Sequence, residues 1–169
     1  MPLIRKGGRA LDLAAGGGRH TRLLLEHGYR VLAVDRDVTG LADLAGTPGL
    51  EILERDLEDG RPWSLGGGFD GIVVTNYLHR SLFADLAGSL APGGLLLYET
   101  FAVGNERFGR PSNPDFLLRP DELLEAFAGL ALIAFEQGVV ERPKPAVIQR
   151  IAAMRGEPLA APLPPPNDA

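Results

Sequence analysis

The 169-residue sequence predicts an α/β protein: a doubly wound, mostly parallel sheet in three layers, α/β/α, finished by a C-terminal antiparallel hairpin. Three observations predict it. Short apolar runs alternate with helix-like segments, as in βαβ units. Near residue 14 an apolar strand breaks into consecutive glycines and then a helical pattern. The last two apolar runs are joined by a connection too short to cross over between parallel strands.

Strands are expected at Arg9 to Ala14, Arg30 to Asp35, Glu51 to Arg55, Phe69 to Thr75 and Gly94 to Thr100. The first crossover helix is His20 to His27, whose Leu23, Leu24 and Leu25 supply an apolar stretch. Gly28 follows as a residue able to take the left-handed conformation that closes a helix. Helices are also expected at Val38 to Ala45 and at Arg80 to Leu90, the second stopped by Ala91-Pro92-Gly93-Gly94. A further helix starts near Pro120, with Asp121 and Glu122 placed in its first turn against the positive end of the dipole. Leu130 to Val140 and Ala146 to Met154 form the hairpin, turned at Glu141-Arg142-Pro143-Lys144-Pro145. Residues 1–156 read as one domain, and 157–169, rich in proline and alanine, as a disordered tail.

Composition narrows the chemistry. No run of roughly 18 apolar residues is present and the N-terminus lacks a signal-peptide core, so a soluble, cytoplasmic protein is expected. Without cysteine there is no disulfide and no thiolate chemistry, and three scattered histidines give no basis for a metal centre. A formal charge of −5 disfavours non-specific nucleic-acid binding, which draws on a basic surface.

The motif at Ala10-Leu11-Asp12-Leu13-Ala14-Ala15-Gly16-Gly17-Gly18-Arg19-His20-Thr21 runs strand, glycine turn, helix. Glycines there admit close approach of a ligand and backbone angles barred to other residues. Alone it serves dinucleotide enzymes, methyltransferases and plain connections alike. Asp35 closes the second strand where a carboxylate can accept both hydroxyls of a ribose; a solvated strand-end aspartate is the bland alternative. Glu54-Arg55-Asp56-Leu57-Glu58 sets Asp56 after the third strand, where it can accept from an adenine amino group or stand as part of a charged loop. The fourth strand leads into Thr75-Asn76-Tyr77-Leu78-His79, a polar and aromatic cluster at the edge where open α/β sheets bind ligands.

Taken in order with Leu90-Ala91-Pro92-Gly93-Gly94, these elements resemble the class I S-adenosylmethionine-dependent methyltransferase family over Arg9 to Phe101. The resemblance implies a Rossmann-like fold, S-adenosyl-L-methionine as cofactor, its methionine end along Asp12 to Gly18 and its ribose at Asp35. The cofactor-binding residues so expected are Asp12, Ala14, Ala15, Gly16, Gly18, His20, Thr21, Asp35, Arg36, Asp56, Leu57, Thr75, Asn76 and Tyr77. Ala14 stands where the family has its first turn glycine, which requires that position to keep a negative φ.

Methyl transfer needs alignment and exclusion of water more than a nucleophilic side chain. The long stretch from Phe101 to Pro120 is expected to be an ordered lid, with Arg107 and Arg110 binding an anionic group of a small-molecule acceptor and Phe108 closing over the cofactor. Surface pairing of those arginines with Glu106 and Asp115 is the competing reading. His79 is the candidate general base and Tyr77 faces the reacting groups, unless His79 only starts a helix beside Arg80. The chain begins almost at its first strand, so either this lid or a second subunit of a homodimer is expected to close the site. Within the family, Asn105-Glu106-Arg107-Phe108-Gly109-Arg110-Pro111 and the compact form are similar to the tellurite-resistance-like branch. The alternatives are an RNA methyltransferase, using Arg142, Lys144, Arg150 and Arg155, a non-catalytic regulatory protein that binds the same cofactor, and an NAD-dependent oxidoreductase.

Overall fold

The computed structural model describes residues 3–157; the expected tail falls on 158–169, outside the described residues, apart from Glu157. Seven strands form one sheet in the order β3-β2-β1-β4-β5-β7-β6: β1 Arg9–Leu13, β2 Arg30–Asp35, β3 Leu50–Glu54, β4 Phe69–Thr75, β5 Leu90–Phe101, β6 Ala131–Val140 and β7 Ala146–Met154. The first five run parallel; β7 lies antiparallel beside β5, and β6 folds back on β7 as the edge strand. This is the predicted fold class, hairpin included. The order reverses between β1 and β4, so a crevice opens beyond their carboxyl ends.

The central strands read as nearly unbroken apolar runs because both faces are covered. On one face Leu11, Ile72, Val74, Leu96 and Tyr98 pack under helices α2 (Phe83–Ser89) and α3 (Glu122–Ala126), which contribute Leu86 and Leu123. On the other, Ala10, Val31, Val73 and Leu95 meet Leu24 of α1 (Arg19–Glu26) and Ile4. Phe83, Tyr98 and Phe127 form an aromatic cluster with ring centroids 5.3 to 5.9 Å apart.

Three expected elements differ. The crossover at Val38 to Ala45 is a 3-10 turn, Thr39–Leu44, not an α-helix: Gly40 and Gly46 confine the helix formers between them, Leu41 to Ala45, to little more than one turn. It serves packing, since its Leu41 is fully buried and its backbone lies on the glycine turn. The Arg80 segment begins with a 3-10 turn, Arg80–Leu82, before α2. At α3, Asp121 is the N-cap residue with φ 60°, and its carboxylate accepts from Gln137 rather than capping the helix. Glu122 is buried and turned toward Arg80.

Between β3 and β4 no helix crosses over. Residues 55–68 make the passage irregularly, with Leu65 and Trp63 set into the core in a helix's place.

A Cβ added at Gly40 would stand 2.9 Å from the Gly16 carbonyl oxygen and 3.0 Å from the Gly17 Cα, both backbone atoms with no rotamer to yield. Gly40→Ala is therefore expected to cost about 1–3 kcal/mol in thermal unfolding. Gly88→Ala, in α2 with open space at its Cβ, should be neutral or stabilising by up to ~1 kcal/mol. Equal effects at the two sites would refute the packing argument.

Candidate functional site

Strand ends bring the site together. Past β1 the chain turns through Ala14 to Gly18, and past β2 the Asp35 carboxylate reaches back to it. Gly16 N–H donates to Asp35 Oδ2 at 2.7 Å and Asp37 N–H donates to Oδ1 at 3.0 Å. The turn is also tied by Ala15 N–H to the Val34 carbonyl and by Gly18 N–H to the Ala15 carbonyl.

Ala14 has φ 56°, against the expectation of a negative angle. The turn's route between the ends of β1 and β2 requires the left-handed region whatever residue stands there. Alanine accepts it at a cost of about 1–2 kcal/mol.

A cleft of about 380 Å³ opens at the carboxyl edge, walled by Ala14, Asp35, Arg36, Arg55, Asp56, Leu57, Glu58, Asn76, Tyr77 and Phe116. Seven expected cofactor residues thus share one cavity: Ala14, Asp35, Arg36, Asp56, Leu57, Asn76 and Tyr77. Asn76 directs the chain into the cleft with φ 55°, its N–H donating to the Glu99 carbonyl. Tyr98 Oη donates to the Tyr77 carbonyl at 2.9 Å, so the aromatic core fixes the backbone of the β4 end.

Two polar atoms in the wall are buried without a hydrogen-bond partner of good geometry among the described residues: the Tyr77 hydroxyl and Arg55 Nε. Burial pushes the Tyr77 phenol well above its ordinary ionisation range, and the negative charges of Glu58 and Asp56 push the same way. It is therefore a neutral hydroxyl, with the Glu58 carboxylate as a nearby acceptor.

Other expected residues lie beside the cleft, outside its wall. Asp12 and Thr21 are buried together beneath the turn, Thr21 Oγ1 donating to Asp12 Oδ2 at 2.6 Å. His20 Nδ1 stands 3.3 Å from Thr75 Oγ1, and burial lowers its pKa against the pull of Asp12. Ala15, Gly16 and Gly18 form the turn itself. His79, half-buried, starts the turn before α2, its carbonyl accepting from Leu82 N–H.

The stretch after β5 is an ordered loop, closed at its neck where Val103 N–H donates to the Leu118 carbonyl and Leu118 N–H to the Phe101 carbonyl. Buried Asn105 ties it inward, donating to the Pro111 carbonyl and accepting from Val147 N–H. Phe108 does not reach the cleft; it lies against the Arg107 guanidinium, 5.4 Å from the ring centroid. Phe116, not Phe108, is the loop phenylalanine that lines the cleft. Arg107 and Arg110 also lie outside the cleft wall, and neither pairs with a carboxylate among the described residues.

Arg55, Glu58 and Phe116 are the wall residues that the sequence reading did not assign to the site. The first two flank Asp56 and Leu57 in the charged stretch after β3, where proximity was the available signal. Nothing local marks Phe116, which the loop closure alone brings in.

No family model matches the chain. It is similar to TehB from Haemophilus influenzae, with a TM-score of 0.74 and 19% identity over 90% of this chain and 59% of that one. It is also similar to 1,6-didemethyltoxoflavin-N1-methyltransferase from Burkholderia thailandensis, solved with 1,6-didemethyltoxoflavin and S-adenosylhomocysteine, with a TM-score of 0.67 and 21% identity over 90% and 72%. Its fold is that of the class I methyltransferases. In sequence, the methyltransferase-fold chain is 34% identical over 105 residues to protein-L-isoaspartate O-methyltransferase of Chlorobaculum tepidum. That match takes in 59% of this chain and 48% of the relative, so the chain spans about half the length of the curated relative it matches. Among the described residues of the methyltransferase fold, no helix is long and apolar enough to cross a membrane.

Asp12 gives a test of whether the buried carboxylate is kept for stability. Burial raises its pKa above the ordinary 3.8, against the Thr21 hydrogen bond and the nearby His20, which lower it. A raised folded-state value means that the ionised form is penalised on folding. The penalty is absent below 3.8 and grows as pH rises through the folded-state value. Asp12→Asn retains an acceptor for Thr21 and is expected to melt above wild type at pH 7, the difference shrinking toward acid. A lower melting temperature at pH 7 would show that the carboxylate stabilises this fold.

Proposed function

We propose that the chain is an S-adenosylmethionine-dependent methyltransferase acting on a small-molecule acceptor. The observation that carries this reading is the convergence of Asp35, Asp56, Asn76 and Tyr77 on one cleft at the carboxyl edge, beside the reversal of strand order. Its volume is that of a small-ligand site.

The donor and acceptor groups suit a nucleoside. Each Asp35 oxygen accepts one backbone N–H and retains lone-pair capacity for a ribose hydroxyl. Asp56, on the exposed shoulder after β3, has acceptor capacity for an exocyclic amino group. The neutral Tyr77 hydroxyl, beside Glu58, is a further polar group in the wall.

S-adenosylmethionine, when bound, supplies an electrophilic methyl on a sulfonium, so no nucleophilic side chain is required. The turn at Ala14 to Gly18 limits how deeply the ligand sits, and the β4 end orients it. The acceptor enters from the side of the 103–117 loop, with His79 as the group that takes its proton. Arg107 and Arg110, free of carboxylate partners among the described residues, are placed on that loop to meet an anionic group of the acceptor. The chemistry named for the relatives, on a protein L-isoaspartate and on 1,6-didemethyltoxoflavin, differs too widely to choose that acceptor.

Calorimetric titration with S-adenosylmethionine, S-adenosylhomocysteine and NAD in parallel tests the assignment. Binding of the first two is expected, weakened about tenfold or more in Asp35→Ala through loss of charge-assisted hydrogen bonds. Binding of NAD alone would replace this reading with the dinucleotide one.

Once an acceptor is in hand, Arg107→Ala with Arg110→Ala is expected to raise its KM about tenfold, as for loss of charged hydrogen bonds. In the same assay His79→Gln should flatten the pH-rate profile. Unchanged kinetics in either variant would remove that role.

A further inference from the structure

We propose that Phe116 is the aromatic cover of the nucleoside base in this cleft and that Arg80 is the residue that positions it. The inference rests on the reading of the cleft as a nucleoside site and assigns the part of it that no motif marks.

Phe116 is about as exposed as Phe108 on the same loop, but of the two it alone lines the cleft. It is 48% exposed on a cleft wall that otherwise includes Asp35, Arg36, Arg55, Asp56 and Glu58. A loose loop would turn such a ring inward or away from charge. Here the backbone on both sides of it is held by one side chain. Arg80 Nη1 donates to the Asp115 carbonyl at 2.7 Å and Nη2 to the Leu117 carbonyl at 2.9 Å, the two carbonyls flanking Phe116.

The guanidinium is itself anchored. Its Nε donates to Glu122 Oε1 at 2.6 Å and its Nη2 to Oε2 at 3.1 Å, while Arg119 N–H donates to Oε2 at 2.8 Å. Glu122 is 4% exposed. Burial alone would raise its carboxyl, but the hydrogen bonds from Arg80 and Arg119 outweigh burial and hold it below its ordinary value. Asn113 completes the seat: its side chain accepts from Asp115 N–H and its carbonyl from Phe116 N–H.

The arrangement connects two parts of the site. Arg80 follows directly on the stretch that carries Asn76 and Tyr77, so the same chain segment that shapes the cleft also fixes the loop bearing Phe116. A planar base has two apolar faces to remove from water. Leu57 and Tyr77 belong to the strand-end side of the wall, and Phe116 is the one apolar wall residue supplied by the loop. An exposed aromatic on an immobilised backbone is a stacking surface whose ordering cost is met before the ligand arrives.

The test is calorimetric titration of S-adenosylhomocysteine into wild type, Phe116→Ala, Phe116→Trp, Arg80→Lys and the Phe116→Ala/Arg80→Lys double variant, with the thermal unfolding of each recorded. Phe116→Ala is expected to weaken binding about tenfold, the order of one lost base–aromatic stack, with little change in melting temperature, and Phe116→Trp to retain it. Lysine keeps the charge opposite Glu122 but cannot hold both carbonyls with a planar fork, so Arg80→Lys should weaken binding too. The double variant should bind no more weakly than Phe116→Ala, because Arg80 acts through the ring.

Wild-type affinity in Phe116→Ala would overturn the covering role while leaving the nucleoside reading intact. Losses that add in the double variant would overturn the positioning role of Arg80. If Arg80→Lys does not fold, the alanine and tryptophan variants decide the covering role by themselves. No binding of S-adenosylhomocysteine by wild type would instead overturn the reading of the cleft, and this inference with it.

Discussion

The site depends on the bond between the Gly16 N–H and the Asp35 carboxylate. It joins the turn after β1 to the end of β2 at 2.7 Å, and it fixes both the path of the glycine turn and the direction of the carboxylate. Either element alone is mobile: a run of glycines has few preferred angles, and a strand-end aspartate has free rotamers. Together they define the inner wall of the cleft. The same turn is pressed from outside by Gly40 and Leu41, so the short crossover after β2 acts as a backing plate. That explains a 3-10 turn where a longer helix would be expected. A glycine is needed at the contact, and it lowers the helical preference of the segment's first turn.

A second support comes from the core. Tyr98 is buried in β5 among Phe83 and Phe127, yet its hydroxyl reaches the Tyr77 carbonyl. A buried hydroxyl without a partner is costly, so this bond stabilises the aromatic cluster and the β4 end at once. Burial pushes the Tyr98 phenol upward, which keeps it a donor. The cleft therefore has rigid walls on the β1–β2 side and on the β4 side, held by different parts of the fold.

The sheet was legible because its signals are periodic and local. β2, β4 and β7 run between the residues expected, since apolar runs flanked by turn residues define them. The hairpin followed from connection length alone. In the site, Asp35, Asp56, Asn76 and Tyr77 were legible because strand-end residues of a parallel sheet converge by topology, whatever the rest of the chain does. What failed to show was set by tertiary contact. Ala14 takes a positive φ that its residue type argues against, because the turn is over-determined by its neighbours. Phe108 and Phe116 are equivalent as letters in a loop. Only the inward tie of Asn105 and the grip of Arg80 on two carbonyls decide which ring meets the cleft.

That loop also bears on how the site is closed. The sequence left a choice between a lid from the same chain and a second subunit. The wall residues run from Ala14 at the turn to Phe116 on the loop. The loop that supplies the outermost of them is secured through Asn105 to β7 and through Arg80 to α3. Arg107 and Arg110 on the same loop are exposed and carry no carboxylate partner among the described residues. The division of labour follows from the physics of the two ends. In the proposed reading the strand ends, immobilised by the core, hold the cofactor. In that same reading the outer loop, free of core constraints beyond its anchors, is where a change of side chains would alter which acceptor is admitted without disturbing the fold.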